Sequence, residues 1–186
     1  MASRDEKALE ALLRSLFREL FQTETSAVRH CSREAERLGE APPAAPLRAI
    51  SRQAEGVLTE LPQLARAHHL PLSAGGIAVG ELFSQTRDKL ADRLIRSERS
   101  YRGTMLGLRH GADLVQLLSF AAGERGYSAI TEFCVRWLYA RLPLISELER
   151  QLGWFAREPA EAMRSARGIF GRRRAGRPRN LVSPAE

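Results

Sequence analysis

The chain has 186 residues, 44% apolar but only 6% aromatic, and a formal net charge of +7. This length gives one domain with a remainder and a core built mainly of Leu, Ala, Val and Ile. With two cysteines and no stretch near the roughly 20 apolar residues of a membrane span, a disulfide-built fold and a transmembrane helix are both excluded. Seven arginines and one glutamate between Arg164 and Glu186 carry +6 of the charge, so residues 1–163 are close to neutral. The polar start MASRDEKALE has no apolar signal core, and two separated thiols, Cys31 and Cys134, suit a reducing compartment. The expected location is the cytoplasm.

The first helix opens at Ser3 and Glu6, which have capping-box spacing. Leu9, Leu13, Leu16, Leu20, Ala27, Cys31 and Leu38 then recur at helical intervals, and Gly39 ends the run before the stiff loop EAPPAAP. The second helix begins near Ala44, with Leu47, Ile50, Ala54, Val57, Leu61 and Leu64 as its stripe. Pro62 removes one donor within it, and HHLPLSAGG closes it.

A third helix is expected from Ile77 to Ala122, about 45 residues or about 70 Å at 1.5 Å per residue. Gly103, Gly107 and Gly111 recur on it every four residues and suggest a tight packing seam. After a turn at Gly123–Gly126, Ser128 caps a fourth helix. Its apolar side is Ile130, Phe133, Trp137, Leu144, Leu148 and Phe155; Pro143 bends it, and it ends at Glu158 and Pro159. There is no β-branched alternation and no hairpin turn signal. The expected architecture is all-α: an up-down-up-down four-helix bundle over 1–158 and a disordered Arg-rich tail over 159–186.

Two carboxylates fall on apolar stripes: Glu24 between Leu20 and Ala27, and Glu98 between Leu94 and Tyr101. A carboxylate facing a core needs an ionic partner or a metal. Inward mid-helix carboxylates resemble the ferritin-like superfamily over roughly residues 3–157, a resemblance that implies a di-metal site. Glu24, His30, Glu98 and His110 are the candidate ligands, but the Glu-x-x-His pair of that family is absent. Glu24 and His30 are six residues apart, and His110–Asp113 has the spacing in reverse order with Asp. The alternative is pairing with arginine, with Arg102 one turn after Glu98 as the obvious partner. No cofactor is expected, and no nucleophile–base order, GxGxxG or Walker loop is present.

The tail segment Arg172-Arg173-Arg174-Ala175-Gly176-Arg177-Pro178-Arg179 resembles the centre of an AT-hook, with Ala175 where the first core Arg would stand. That resemblance implies minor-groove binding by Arg172, Arg173, Arg174, Arg177 and Arg179, with Gly176 lying against the groove floor. The leading expectation is a non-enzymatic bundle that binds a protein partner or associates with itself. A nucleic-acid-associated protein and a degenerate ferritin-like metal protein are the alternatives.

Overall fold

A computed structural model describes residues 4–71 and 95–166. Four long helices make the body: α1 (Arg4–Leu38), α2 (Ala44–Ala67), α3 (Ser97–Glu124) and α4 (Ser128–Arg150). Two short ones follow, α5 (Leu152–Arg157) and α6 (Pro159–Met163). The described residues contain no strand, only a single antiparallel bridge between Arg96 and Ser165. No helix among them is long and apolar enough to cross a membrane.

The stripes read from the sequence are the core. On α1, Leu13, Leu16, Phe17, Leu20, Ala27, Cys31, Ala35 and Leu38 are buried, because three- and four-residue spacing returns each to one face. Asp5 and Glu6 occupy the first turn and Arg37 the last, each opposing the helix dipole. Gly39 stops the helix at φ +64°, a conformation that favours glycine, and its N–H donates to the Ala35 carbonyl (3.0 Å). Ser32 and Ser51 share a 2.7 Å hydrogen bond between α1 and α2. Among the stripe glycines, Gly111 lies at a close approach: a Cβ there would stand 3.0 Å from Thr23 Cγ2 of α1. Gly107 faces open space.

α1 packs on α2 and α3, and α4 packs on the same two helices, so the four form a ring with α1 diagonal to α4. Side-chain pairs give the directions. Glu19 meets His110 and Arg37 meets Ser97, so α1 and α3 run antiparallel. Gln53 and Glu60 of α2 meet Arg141 and Arg136 of α4, also antiparallel. Tyr127, at the start of α4, reaches Glu10 near the start of α1 (3.4 Å). The order is therefore up, down, down, up, which corrects the expected up-down-up-down order. Short turns force α1/α2 and α3/α4 to be antiparallel, whereas the long connection from α2 to α3 imposes no such rule. His68, just past α2, stacks near Tyr127 (5.0 Å between centroids), while Ser97 begins α3 beside the end of α1. α2 thus ends at the opposite end of the ring from the start of α3.

Three boundaries differ from expectation. The helix expected from Ile77 is interrupted at its described part: Arg96 is extended (ψ 154°), and α3 starts at Ser97; residues 77–94 lie outside the described residues. Tertiary partners replace the missing helical ones. The Ser97 N–H donates to the Arg164 carbonyl and the Ala166 N–H to the Ile95 carbonyl, both at 2.8 Å. The expected fourth helix breaks at Gln151, which lets Phe155 turn onto Tyr101 (5.1 Å between centroids). Ser128 is the first helical residue and makes no side-chain cap.

The folded part also extends beyond the expected limit at 158. α6 buries Ala162, and 164–166 form the bridge to the start of α3. Residues 167–186 lie outside the described residues. Truncation after Glu158 should therefore destabilise the chain relative to truncation after Ala166. The two backbone hydrogen bonds lost between this segment and residues 95–97, at about 1 kcal/mol each, should lower Tm by roughly 4–8 °C, as read by thermal melting. Equal melting temperatures would show that the returning segment contributes nothing.

Candidate functional site

A buried charged pair links the two diagonal helices through the interior of the ring. Arg141 of α4 reaches across the diagonal to Glu24 of α1, its Nη2 donating to Oε2 at 2.7 Å. Both side chains are sealed, at 1% and 0% exposure. Three neighbours hold the guanidinium in place. Its Nε donates to Gln53 Oε1 of α2 (2.5 Å), and its carbon lies 4.6 Å from the Trp137 ring centroid, one turn earlier on α4. Planar Arg suits this role because it can bond a carboxylate and an amide in fixed directions while stacking on an aromatic face.

Burial raises the Glu24 carboxyl above its ordinary value, and Arg141 opposes that rise. The Trp137 indole lies close enough to favour the carboxylate without reaching hydrogen-bond geometry, so Glu24 Oε1 has no donor. Cys31, two turns along α1, shares this interior, and burial pushes its thiol up to about 12. Burial does the same to Cys134. Both are free and protonated at neutral pH, the opposite of an activated nucleophile. The Tyr101 hydroxyl is also raised by burial and donates to the Leu148 carbonyl (3.1 Å).

The structure does not bring the four candidate metal ligands together. Glu24 belongs to Arg141, and half-buried Glu98 accepts from its expected partner Arg102 (2.8 Å). His110 pairs with Glu19 on the surface (3.0 Å), and His30 sits apart on α1. No three His, Cys, Asp or Glu side chains converge among the described residues. Arg172, Arg173, Arg174, Gly176, Arg177 and Arg179 lie outside the described residues. A second polar knot closes the far end of the ring. Arg37 donates to Glu34 and to the Ser97 carbonyl (both 3.2 Å), and Ser100 Oγ donates to the same Glu34 oxygen at 2.8 Å. It joins the end of α1 to the start of α3.

The outer surface carries what the stripes left over. Leu106, Leu117 and Phe120 project from α3 at 66%, 46% and 65% exposure. Val135, Tyr139 and Leu142 are exposed on α4. At 100° per residue, Val135 and Leu142 share a face with Glu149, and Phe120 shares one with Arg109. Arg109 and Glu149 pair at 2.8 Å across the α3/α4 seam, so Phe120 lies on one side of that seam and Val135 and Leu142 on the other, with Leu106 and Leu117 farther round α3 toward α1. A depression of about 340 Å³ opens on α3, lined by Arg99, Arg102, Gly103, Met105, Leu106 and Arg109. The sequence did carry a signal for this surface: large apolar residues that fit no buried stripe. Comparison with family models, curated proteins and solved structures gives no match.

Two outcomes test the interior pair. Arg141→Ala leaves a buried carboxylate unpaired and should cost about 3–5 kcal/mol in denaturant unfolding, whereas Glu24→Leu with Arg141→Met should cost less. An Arg141→Ala loss within experimental error would mean that the pair is idle.

The pH dependence has a definite sign. A carboxyl raised in the folded state binds its proton more tightly there than in the unfolded chain. Its contribution to stability is greatest below the ordinary value of 4.5 and falls as pH rises through the folded value. The stability of the parent minus that of Glu24→Gln should therefore decline with rising pH over this window. A difference that is flat, or that rises, contradicts the assignment.

Proposed function

We propose that the chain is a non-enzymatic helical module that works by association through the outer face of α3 and α4. The observation that carries this reading is the set of large apolar side chains exposed on the outer faces of α3 and α4, with Phe120, Val135 and Leu142 beside the seam between them. Large apolar side chains grouped on one outer face mark association sites. The Arg109–Glu149 pair adds a polar feature that a partner has to accommodate. The interior supports the same reading, because its guanidinium and carboxylate are paired with one another and its thiols are held protonated.

The helix directions support a four-helix bundle with one long crossover, the topology of ferritin-like folds. In this reading the chain keeps such an arrangement while a guanidinium supplies the internal positive charge. Glu24 is available to a metal only if Arg141 lets go, and the buried Arg141 would then be unpaired.

A photo-reactive phenylalanine derivative at position 139 tests the association face. Tyr139 is 85% exposed, so the replacement leaves the core alone. Illumination of the full chain in producing cells should give discrete adducts, to a second copy or to another protein. These should disappear when Val135 and Leu142 are both changed to Asp. No adduct above that background would overturn the proposal.

A further inference from the structure

We infer that the occupant of this face is a second copy of the same chain, docked through α3 against α3 in antiparallel fashion about a two-fold axis. The inference rests on the association reading above and adds the partner and the register. The exposed stripe of α3 runs Arg99, Arg102, Leu106, Arg109, Asp113, Leu117, Phe120 and Glu124, in three- and four-residue steps with two successive four-residue steps at its centre, Arg109 to Asp113 to Leu117. Its charge is polarised, with arginines in the first half and carboxylates in the second.

One antiparallel register makes this stripe complementary to itself. With the axis beside Gly111, Arg99 faces Glu124 of the other copy, and Arg109 faces Asp113. Leu106 faces Leu117, and Arg102 faces Phe120, where its stem and guanidinium cover the ring. Each contact occurs twice by symmetry, as in any isologous interface.

The pairs also agree around the helix. At 100° per residue, Arg99, Leu106, Leu117 and Glu124 form the row nearer α1. Arg102, Arg109, Asp113 and Phe120 form the row nearer α4. A two-fold axis perpendicular to the pair of helices keeps each row opposite itself, and every contact named lies within a single row. A shift by one heptad would set Arg99 against Leu117 or carry its partner position past the end of α3, and either way the Arg99–Glu124 pairs are lost.

Shape agrees with charge. Arg99, Arg102, Gly103 and Leu106 are spaced i, i+3, i+4 and i+7, the four corners of a hole that receives a knob. They line the 340 Å³ depression on α3, and Gly103 places no side chain in it. In this register the exposed Phe120 of the other copy sits over that hole. Neither Arg99 nor Glu124 has an ion-pair partner among the described residues, so both are available to the interface. The same axis leaves α4 and its copy on one side of the paired α3 helices. Val135, Tyr139 and Leu142 of both copies then extend the apolar surface.

Sedimentation equilibrium of the full chain across the micromolar range tests this. The parent should be a dimer. Arg99→Glu and Glu124→Arg should each weaken it by about tenfold or more, since two attractive pairs become repulsive. The double variant, which restores opposite charges in both symmetric contacts, should recover most of the affinity. Circular dichroism should be unchanged in all three, because both residues are exposed. A monomeric parent overturns the inference, and so does a dimer that the double variant fails to rescue. If the parent is monomeric but position 139 still crosslinks to a different protein, the association face survives and the second copy does not.

Discussion

The contact between Arg141 and Glu24 joins, through the interior, the two helices the ring keeps apart. α1 and α4 are diagonal, so no continuous seam runs between them, and the guanidinium spans the interior instead. By donating to Gln53 as well, it ties three of the four long helices to one point. An apolar interior tolerates small rotations and axial slips of a helix at modest cost. A sealed charge pair does not, because any slip that separates the ions leaves each without its partner in a low-dielectric interior. Its contribution is to the uniqueness of the arrangement more than to raw stability.

The knot of Glu34, Arg37, Ser97 and Ser100 does related work at the far end, and here it sets a chain boundary. Carbonyls at a helix end and the first N–H groups of the next helix need partners. Where α3 begins, the Arg164 carbonyl provides one for the Ser97 N–H, and the Arg37 guanidinium holds the Ser97 hydroxyl and carbonyl. The start of α3 is thus specified by residues from the end of α1 and from past α6.

This distribution of causes explains what the sequence made legible. The stripes of α1 and α2, the stop at Gly39 and the Glu98–Arg102 pair were readable because each depends on neighbours within a turn or two. Glu24 stood out as a carboxylate on an apolar face, yet its partner lies 117 residues away and no local rule selects it. The interruption at Ile95–Arg96, the break at Gln151 and the return of 159–166 all answer to tertiary contacts, so periodicity ran straight through them. Helix direction was hidden for a different reason. A long connection permits either sense, and alternation was assumed where only the two short turns enforce it. Leu106, Phe120, Val135 and Tyr139 were visible throughout, but a search for core stripes discards apolar residues that fall between stripes.

The bridge between Arg96 and Ser165 has a consequence for the order of events on the ribosome. The two hairpins, α1 with α2 and α3 with α4, need only sequence-local contacts and can form as soon as each has emerged. The first turn of α3 cannot complete its hydrogen bonds until Arg164 and Ala166 are free of the exit tunnel, long after α3 itself has appeared. The nascent chain therefore carries a helix whose leading end stays frayed until residues 164–166 arrive to close it.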